Sequence, residues 1–322
     1  MIDSIEGNPL VSVGMVTYNS GQYIEDAISS VLSSSYTNFE LIISDDCSTD
    51  DTIAKIKTFN DSRIRLHENK VNLREYPNRN KVINLAKGEY FIFIDGDDMI
   101  YPHGLEFMVK MLHAFPSCAM ALMSRRNPRF YYPIVVTPHQ FYVSHFLGES
   151  FMRTAFTSIL FKTSILKAVG GLSLEYPNGD DYIRLKIATV YNSLIINDNI
   201  TWWRQTPGQA SSSLTDNLWF YRLKHQMYQR FLTDPKCPLS DQEKKDAFFN
   251  ISKVEWEVVI NKMKKFKFFD AFKLIKMLNL PISTISNYLK ARKFKDPFSD
   301  FSSVKPLRVN FENNPYSADY LK

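Results

Sequence analysis

The chain has 322 residues, 44% hydrophobic and 23% charged; this excludes a disordered chain by composition and leaves room for one large core or two domains. Its net charge of +5 is uneven, because residues 221–322 hold 20 Lys and Arg against 11 Asp and Glu while residues 1–220 are net negative. No apolar run reaches the roughly 18 residues of a spanning helix. The acidic start Met1–Glu6 lacks the basic opening of a secretory signal, and Cys47, Cys118 and Cys237 are too scattered for a cysteine metal site, so the expected location is the reducing cytosol.

In chain order, Leu10–Val16 reads as a strand and Tyr23–Leu32 as a helix, with Ile24, Ala27, Ile28 and Val31 on one face. Phe39–Ser44 is a second strand, and Thr52–Phe59 a helix capped between Ser48 and Asp51. Ile64–His67 is a short strand. Arg79–Ala86 ends another helix, with Gly88 as its expected stop, and Tyr90–Ile94 is the fourth strand. Short, almost wholly apolar strands alternating with helices predict a mostly parallel sheet covered on both faces. Pro128, Pro133 and Pro138 obscure the pattern of residues 115–175. Within it, Ser158–Phe161 reads as a strand, Ser164–Val169 as a helix and Gly170-Gly171 as a tight turn. Gly179-Asp180-Asp181 opens a helix through Thr189, and Ile195-Ile196 is expected at a sheet edge. After about residue 215 the pattern is helical and Lys-rich, giving expected units of 1–215 and 216–322.

Three strands of this series end in polar or acidic residues: Thr17-Tyr18-Asn19, Asp45-Asp46 followed by Ser48 and Asp50, and Asp95-Gly96-Asp97-Asp98. Ligands of open α/β sheets bind beyond the carboxyl ends of the strands, and a parallel sheet brings all three clusters to one rim. There a carboxylate can accept a hydrogen bond from a nucleobase, Tyr18 can stack on the base, and the last cluster can hold ribose hydroxyls and an oxygen-loving ion such as Mg²⁺ or Mn²⁺. Each cluster also has a plainer reading. Asp45-Asp46 with Ser48 suits a turn and helix cap, Tyr18 suits packing, and Asp95–Asp98 suits a solvated turn. A calcium loop is disfavoured because its closing Glu is missing. No Gly-x-Gly-x-x-Gly follows any strand, which argues against a dinucleotide dehydrogenase, and Asn19-Ser20-Gly21 is a poor phosphate loop for a nucleotidyltransferase.

Over residues 9–215 the chain resembles the family 2 glycosyltransferases of the GT-A fold. The resemblance is carried by Pro9–Val13, Thr17-Tyr18-Asn19, Phe39–Ile43, Asp45-Asp46, Arg79-Asn80, Ala86–Tyr90 and an acidic turn similar to the family's DxD motif. It implies a Rossmann-like, mostly parallel sheet with a C-terminal helical extension, and inverting transfer from a nucleoside-diphosphate sugar. It implies Asp46 at the base (a UDP donor), with Thr17, Tyr18 and Asn19 lining that pocket, and Arg79 near the nucleotide. Asp95 then lies by the ribose and metal, Asp97 is the direct ligand of Mn²⁺ or Mg²⁺, and Asp98 reaches the sugar or acceptor side. The family's Glu-Asp pair is matched here by Asp180-Asp181, with Asp181 as general base, although two acids in the first turn of a helix also suit its dipole. Arg204 matches a position over the diphosphate, followed by a loop around Gly208 that can act as a lid. The expected acceptor is a glycan or lipid-linked hydroxyl in surface-polysaccharide assembly. A non-catalytic nucleotide-sugar or glycan binder on the same fold is the alternative. The Gln-x-x-Arg-Trp motif of processive members is absent.

Lys262–Lys295 carries ten basic residues and one acid, Asp270. On a helical projection Phe268, Ala271, Phe272, Ile275 and Leu278 share one face, with Lys262, Lys265, Lys273 and Lys276 roughly opposite. Such a segment can lie on an anionic membrane, or pack its apolar face on the first domain and leave its lysines in water. No nucleic-acid module is evident, and no nucleic-acid partner is expected.

Overall fold

A computed structural model describes residues 7–124, 132–205 and 217–285. Ten strands are present among them: β1 Val11–Thr17, β2 Phe39–Asp45, β3 Ile64–Glu68, β4 Tyr90–Phe93, β5 Met99–Ile100, β6 Cys118–Met123, β7 Ile134–Val136, β8 Ile159–Lys162, β9 Asn192–Ile196 and β10 Thr201–Trp202. Eight form one sheet in the order β3-β2-β1-β4-β8-β6-β9-β7, while β5 and β10 pair separately. The pairs β3–β2, β2–β1, β1–β4 and β6–β9 are parallel; β8 runs antiparallel to both β4 and β6, and β7 antiparallel to β9. The sheet is therefore mixed, with the expected parallel half at its N-terminal side.

Alternation along the strands explains the two-faced core. Val11, Val13, Met15, Ile92 and Ile94 face the helices Ile24–Leu32 and Gly104–Ala114. Phe91, Phe93 and Ile42 face the other layer, with Val82, Ile83, Phe141, Tyr142, Ile183 and Leu185. Met227, Phe231, Leu232 and Ala247, from the helices Leu218–Thr233 and Asp241–Lys264, belong to that second cluster, so the C-terminal helices continue the core.

Two expectations are corrected. Ile195-Ile196 is not at an edge, because β9 lies between β6 and β7 and the short β7 forms that border. Gly88 does not stop the preceding helix, which spans Glu75–Leu85 and ends in an extended Ala86. Gly88 instead lies against β1, where a Cβ would come within 2.5 Å of Ser12 N and 2.7 Å of Leu10 O. Backbone cannot move aside as a side chain can, so Gly88→Ala is expected to destabilise the protein by about 1–3 kcal/mol in a urea titration.

The prolines hide real elements in the middle of the chain. Pro138 is the first residue of the helix Pro138–Leu147, whose cap Thr137 accepts from Gln140 N while Gln140 returns a bond to Thr137 N. His145 of this helix packs edge-on against Phe146 and Tyr228, and its Nδ1 meets Ser150 Oγ at 2.8 Å. Burial, with Lys224 and Arg184 nearby, pushes its imidazole down to about 3. A histidine held neutral in the fold favours the native state above its ordinary pKa near 6.5 and loses that advantage as pH falls from there towards 3. His145→Gln is therefore expected to flatten the fall in unfolding free energy between pH 6.5 and 4, measured by urea titrations at each pH.

The three cysteines are free, and among the described residues no helix is long and apolar enough to cross a membrane.

Candidate active site

Register brings the three polar strand ends together. Thr17 is the partner of Asp45 across β1 and β2, and Asp46 N donates to Thr17 O at 2.8 Å. On the other side of β1, Gly96 N donates to Val16 O at 3.2 Å. A Cβ on Gly96 would lie 3.1 Å from both Cβ and Oγ1 of Thr17, so glycine is what lets the acidic turn lie on β1. Thr17 Oγ1 is buried there with no hydrogen-bond partner among the described residues. Tyr18 is 52% exposed, its ring presented to solvent at the rim.

The neighbouring polar residues divide between holding loops and facing the rim. Asn19, at φ 49°, donates from its backbone N–H to Ser48 Oγ and accepts from Thr49 N, both at 2.8 Å, so it clasps the first loop to the second. Asp45 accepts from Ser48 N and Oγ, and Asp50 accepts from Thr52 N, at the start of the helix Thr52–Ile56, and from Gly21 N. Asp46 is buried and accepts from Asn69 Nδ2 at 2.9 Å and from Leu73 N and Arg74 N at 2.8 Å. It thereby steadies a turn in which Arg74 sits at φ 71°, a region that favours glycine. A carboxylate has about four acceptor positions, so one remains to Asp46.

In the acidic turn the carboxylates have different surroundings. Asp95 accepts a two-pronged pair of bonds from Arg79, Nη1 to Oδ1 and Nη2 to Oδ2, both 2.8 Å. Arg79 is buried, lies over the rings of Phe93 and Phe156 at 5.1 and 5.6 Å, and also reaches Glu75 Oε1 at 3.4 Å. Arg79 thus meets the acidic turn itself. Asp98 is only 2% exposed and accepts from Thr157 Oγ1 at 3.2 Å and Arg204 N at 3.1 Å. Burial, with the charges of Asp95 and Asp97 adding to it, pushes its carboxyl up to about 7. Asp98 therefore lies beneath the turn, facing protein rather than an open sugar or acceptor side. Asp97 is half-buried at the turn, and its carbonyl accepts from Arg204 Nε at 3.0 Å.

Arg204 also reaches Asp26 Oδ2 at 3.0 Å and lies near the rings of Tyr23 and Trp202, at 4.9 and 4.8 Å. It ties the acidic turn to the first helix. The expected lid around Gly208 lies outside the described residues.

The second acidic pair is placed by the helix Glu75–Leu85. Its Asn80 donates from Nδ2 to Leu172 O at 2.9 Å and accepts from Leu172 N at 2.8 Å. Its Tyr76 donates to Pro177 O at 2.5 Å, with the ring so close that a Cβ on Gly179 would meet it at 2.7 Å. The helix Gly179–Ala188 therefore begins against the helix that carries Arg79. Arg184, one turn on and 2% exposed, donates from Nη2 to Asp180 Oδ2 and Asp181 Oδ1, both at 2.8 Å, and from Nη1 to Met152 O at 3.0 Å. Burial raises the Asp180 carboxyl, with Arg184 opposing and Asp181 adding to the shift. The Glu75 carboxyl is 47% exposed, yet the protein crowded around it raises it, with Arg79 lowering it and the charges of Asp95 and Asp180 raising it further. The acidic turn and the acidic helix start thus belong to one electrostatic site, with Glu75 and Arg79 between them.

Glu75, Thr157 and Arg184 were not read from sequence as functional residues. Two carried a signal in their spacing, Glu75 four residues before Arg79 and Arg184 at three and four residues after the acids. Thr157 carried none.

Among the described residues no three His, Cys, Asp or Glu side chains gather closely enough to hold a metal alone. That suits a hard ion drawing most of its ligands from a diphosphate and water, which needs one or two protein carboxylates. Of the three carboxylates of the turn, those of Asp97 and Asp95 are partly exposed and that of Asp98 is buried.

Comparison with known proteins gives the family and the fold. Residues 12–170 match the family described as glycosyl transferase family 2. The chain is 39% identical over 103 residues to the Escherichia coli UDP-Glc:alpha-D-GlcNAc-diphosphoundecaprenol beta-1,3-glucosyltransferase WfgD, which is 32% of this chain and 41% of WfgD. It is 39% identical over 118 residues to the putative colanic acid biosynthesis glycosyl transferase WcaA of Escherichia coli K12, 34% of this chain and 42% of that protein. The matches thus span about two fifths of these relatives' lengths. In three dimensions the chain is similar to Staphylococcus aureus TarS (residues 1–349) in complex with UDP-GlcNAc, with a TM-score of 0.63 at 19% identity, covering 86% of this chain and 83% of that one. It is also similar to the mannosyltransferase PcManGT of Pyrobaculum calidifontis in complex with GDP-Man and Mn²⁺, with a TM-score of 0.56 at 18% identity and 88% of each chain covered. These likenesses show the GT-A fold.

Proposed function

Because the chain belongs, through residues 12–170, to glycosyl transferase family 2, we propose that it moves a sugar from a nucleoside-diphosphate donor to a hydroxyl of a glycan or lipid-linked acceptor, with inversion and with a divalent metal. The observation that carries this reading is the shared helix Glu75–Leu85, which holds Asp95 through Arg79 and packs against the start of the helix bearing Asp180 and Asp181. One pair of acids then serves the leaving group and the other the nucleophile, within one cleft.

In this reading the exposed Tyr18 ring stacks on the base, and the remaining acceptor position of Asp46 takes a base N–H. UDP is the preferred donor nucleotide, supported by the UDP-sugars named for WfgD and TarS. Asp97 would hold Mn²⁺ or Mg²⁺, with Asp95 at the ribose side. When bound, the ion supplies Lewis-acid stabilisation of the charge gathering on the leaving diphosphate. Asp181 accepts the acceptor's hydroxyl proton as the new oxygen–carbon bond forms and the bond from the anomeric carbon to the phosphate oxygen breaks. Arg184 fixes the direction of both carboxylates. The site works at a cytoplasmic membrane face, with residues 262–295 as its peripheral contact; of these, 286–295 lie outside the described residues.

The test is nucleotide release from a panel of nucleotide sugars with Mn²⁺, with and without an acceptor extract. Release with one donor is expected to vanish on chelation and return with Mn²⁺, and Asp97→Ala is expected to raise the Mn²⁺ concentration needed. Release unaffected by chelation removes the metal from the reading. A second reading, a binder that does not turn over, draws on the guanidinium of Arg184 lying across both acids. Calorimetric donor binding with no release in any mixture selects it.

A further inference from the structure

Near the end of the described residues, the helices Asp241–Lys264 and Phe268–Met277 meet at Phe266, and four phenylalanines of the joint and the second helix are exposed. Phe266 is 82% exposed, Phe269 79%, Phe272 65% and Phe268 50%. The single apolar face expected from the projection is in fact two. Ala271, Leu274 and Leu278 bury against Trp256 and Val259, and the phenylalanines lie outside that seam.

The turn between the helices makes the exposure more telling. Lys267 N donates to Lys262 O at 2.9 Å and Phe266 N to Met263 O at 3.0 Å, the pair of bonds that closes a helix when the residue after its cap is left-handed. Glycine, or sometimes asparagine, usually fills that position, and asparagine does so at the end of the next helix, where Asn279 has φ 48°. Here it is Phe266, at φ 58°. A bulky residue in this region is strained, and packing among the described residues gives little back, since the ring is 82% exposed and meets Phe268 only edge-on, with centroids 6.1 Å apart. Around the rings stand exposed Lys264, Lys265, Lys267, Lys273 and Lys276, with Asp270 the one acid between residues 262 and 285.

We propose that this elbow is a wedge that enters the surface of an anionic bilayer, with Phe266, Phe269 and Phe272 at the acyl boundary and the lysines among the headgroups. Rings without cover call for an apolar phase, and the lysines around them match a negative surface. The proposal deepens the membrane contact read for residues 262–295 and is independent of catalysis in the cleft.

Flotation of the full chain with phosphatidylcholine vesicles, with and without phosphatidylglycerol, tests it. The wild type is expected to float with the anionic vesicles only. Phe266→Gly/Phe269→Ser/Phe272→Ser is expected to lower that partition at least about tenfold. Phe266→Gly alone is expected to lower it while holding or raising the thermal midpoint, since it removes strain; this separates loss of binding from loss of fold. No flotation of the wild type overturns both the wedge and the membrane contact. Flotation retained in the triple variant but lost in Lys264→Gln/Lys265→Gln/Lys273→Gln overturns the wedge and leaves adsorption by charge alone. A wild-type dimer that the triple variant converts to a monomer, without flotation, shows a second copy covering the rings and overturns the wedge.

Discussion

Asp181→Asn is expected to lower the turnover number for sugar transfer by about a hundredfold to ten-thousandfold, with the donor's KM little changed. Asparagine keeps the size of the side chain and an oxygen for Arg184, and Asp180 still pairs with that guanidinium at 2.8 Å. The helix start and the nucleotide pocket therefore persist, and the change removes a proton acceptor. Asp180→Asn is the necessary companion, because the two acids share one arginine and Asp180 is the more exposed, 37% against 17% for their side chains. A loss confined to Asp180→Asn would move the base to that residue. Donor binding measured by calorimetry in both variants distinguishes a missing base from a damaged pocket.

The first hundred residues were legible because each signal there is local. Strands buried on both faces read as apolar runs, and the acids follow them directly in sequence. The rim was legible too, since parallel strands must present the same ends together. What escaped sequence is what depends on distant chain. Asp98 lies beneath the turn because Thr157 and Arg204 reach it from 59 and 106 residues away. Arg79 faces Asp95 because its helix packs over β1 and β2, beside the turn, a fact no spacing announces. β9 reads as an edge strand until β7, hidden between Pro133 and Pro138, is found beside it. Gly88 sits where a helix-stopping glycine belongs, and only the nearness of β1 gives it another task. In the last helix the projection detects apolar residues but cannot say which side has a partner, so one face was read where there are two.

Arg79→Leu is expected to destabilise the protein by about 3–5 kcal/mol at neutral pH, the scale on which removing one partner of a buried pair leaves the other charge uncompensated. The setting is demanding: Arg79 is buried over Phe93 and Phe156, and both oxygens of Asp95 depend on it. Asp97 and the buried Asp98 stand within the same turn, so the loss leaves three carboxylates beside Arg204, whose Nε bonds the Asp97 carbonyl and neither oxygen of Asp95. Arg79→Lys keeps the charge but presents a single point to a carboxylate that accepts two parallel bonds, so it should recover part of the stability and less of the donor affinity. Arg79→Leu/Asp95→Leu removes both charges and is expected to unfold later in urea than Arg79→Leu alone while staying inactive, since it also removes the acid proposed for the ribose side. That contrast distinguishes a pair that stabilises from one that organises a site. If the double variant is no more stable than Arg79→Leu, the cost lies in lost packing over the two rings and not in the stranded charge. If Mn²⁺ with UDP restores the stability of Arg79→Leu, the cation at the acidic turn and the guanidinium beneath it balance the same carboxylates, and the arginine holds the turn in shape until the donor arrives.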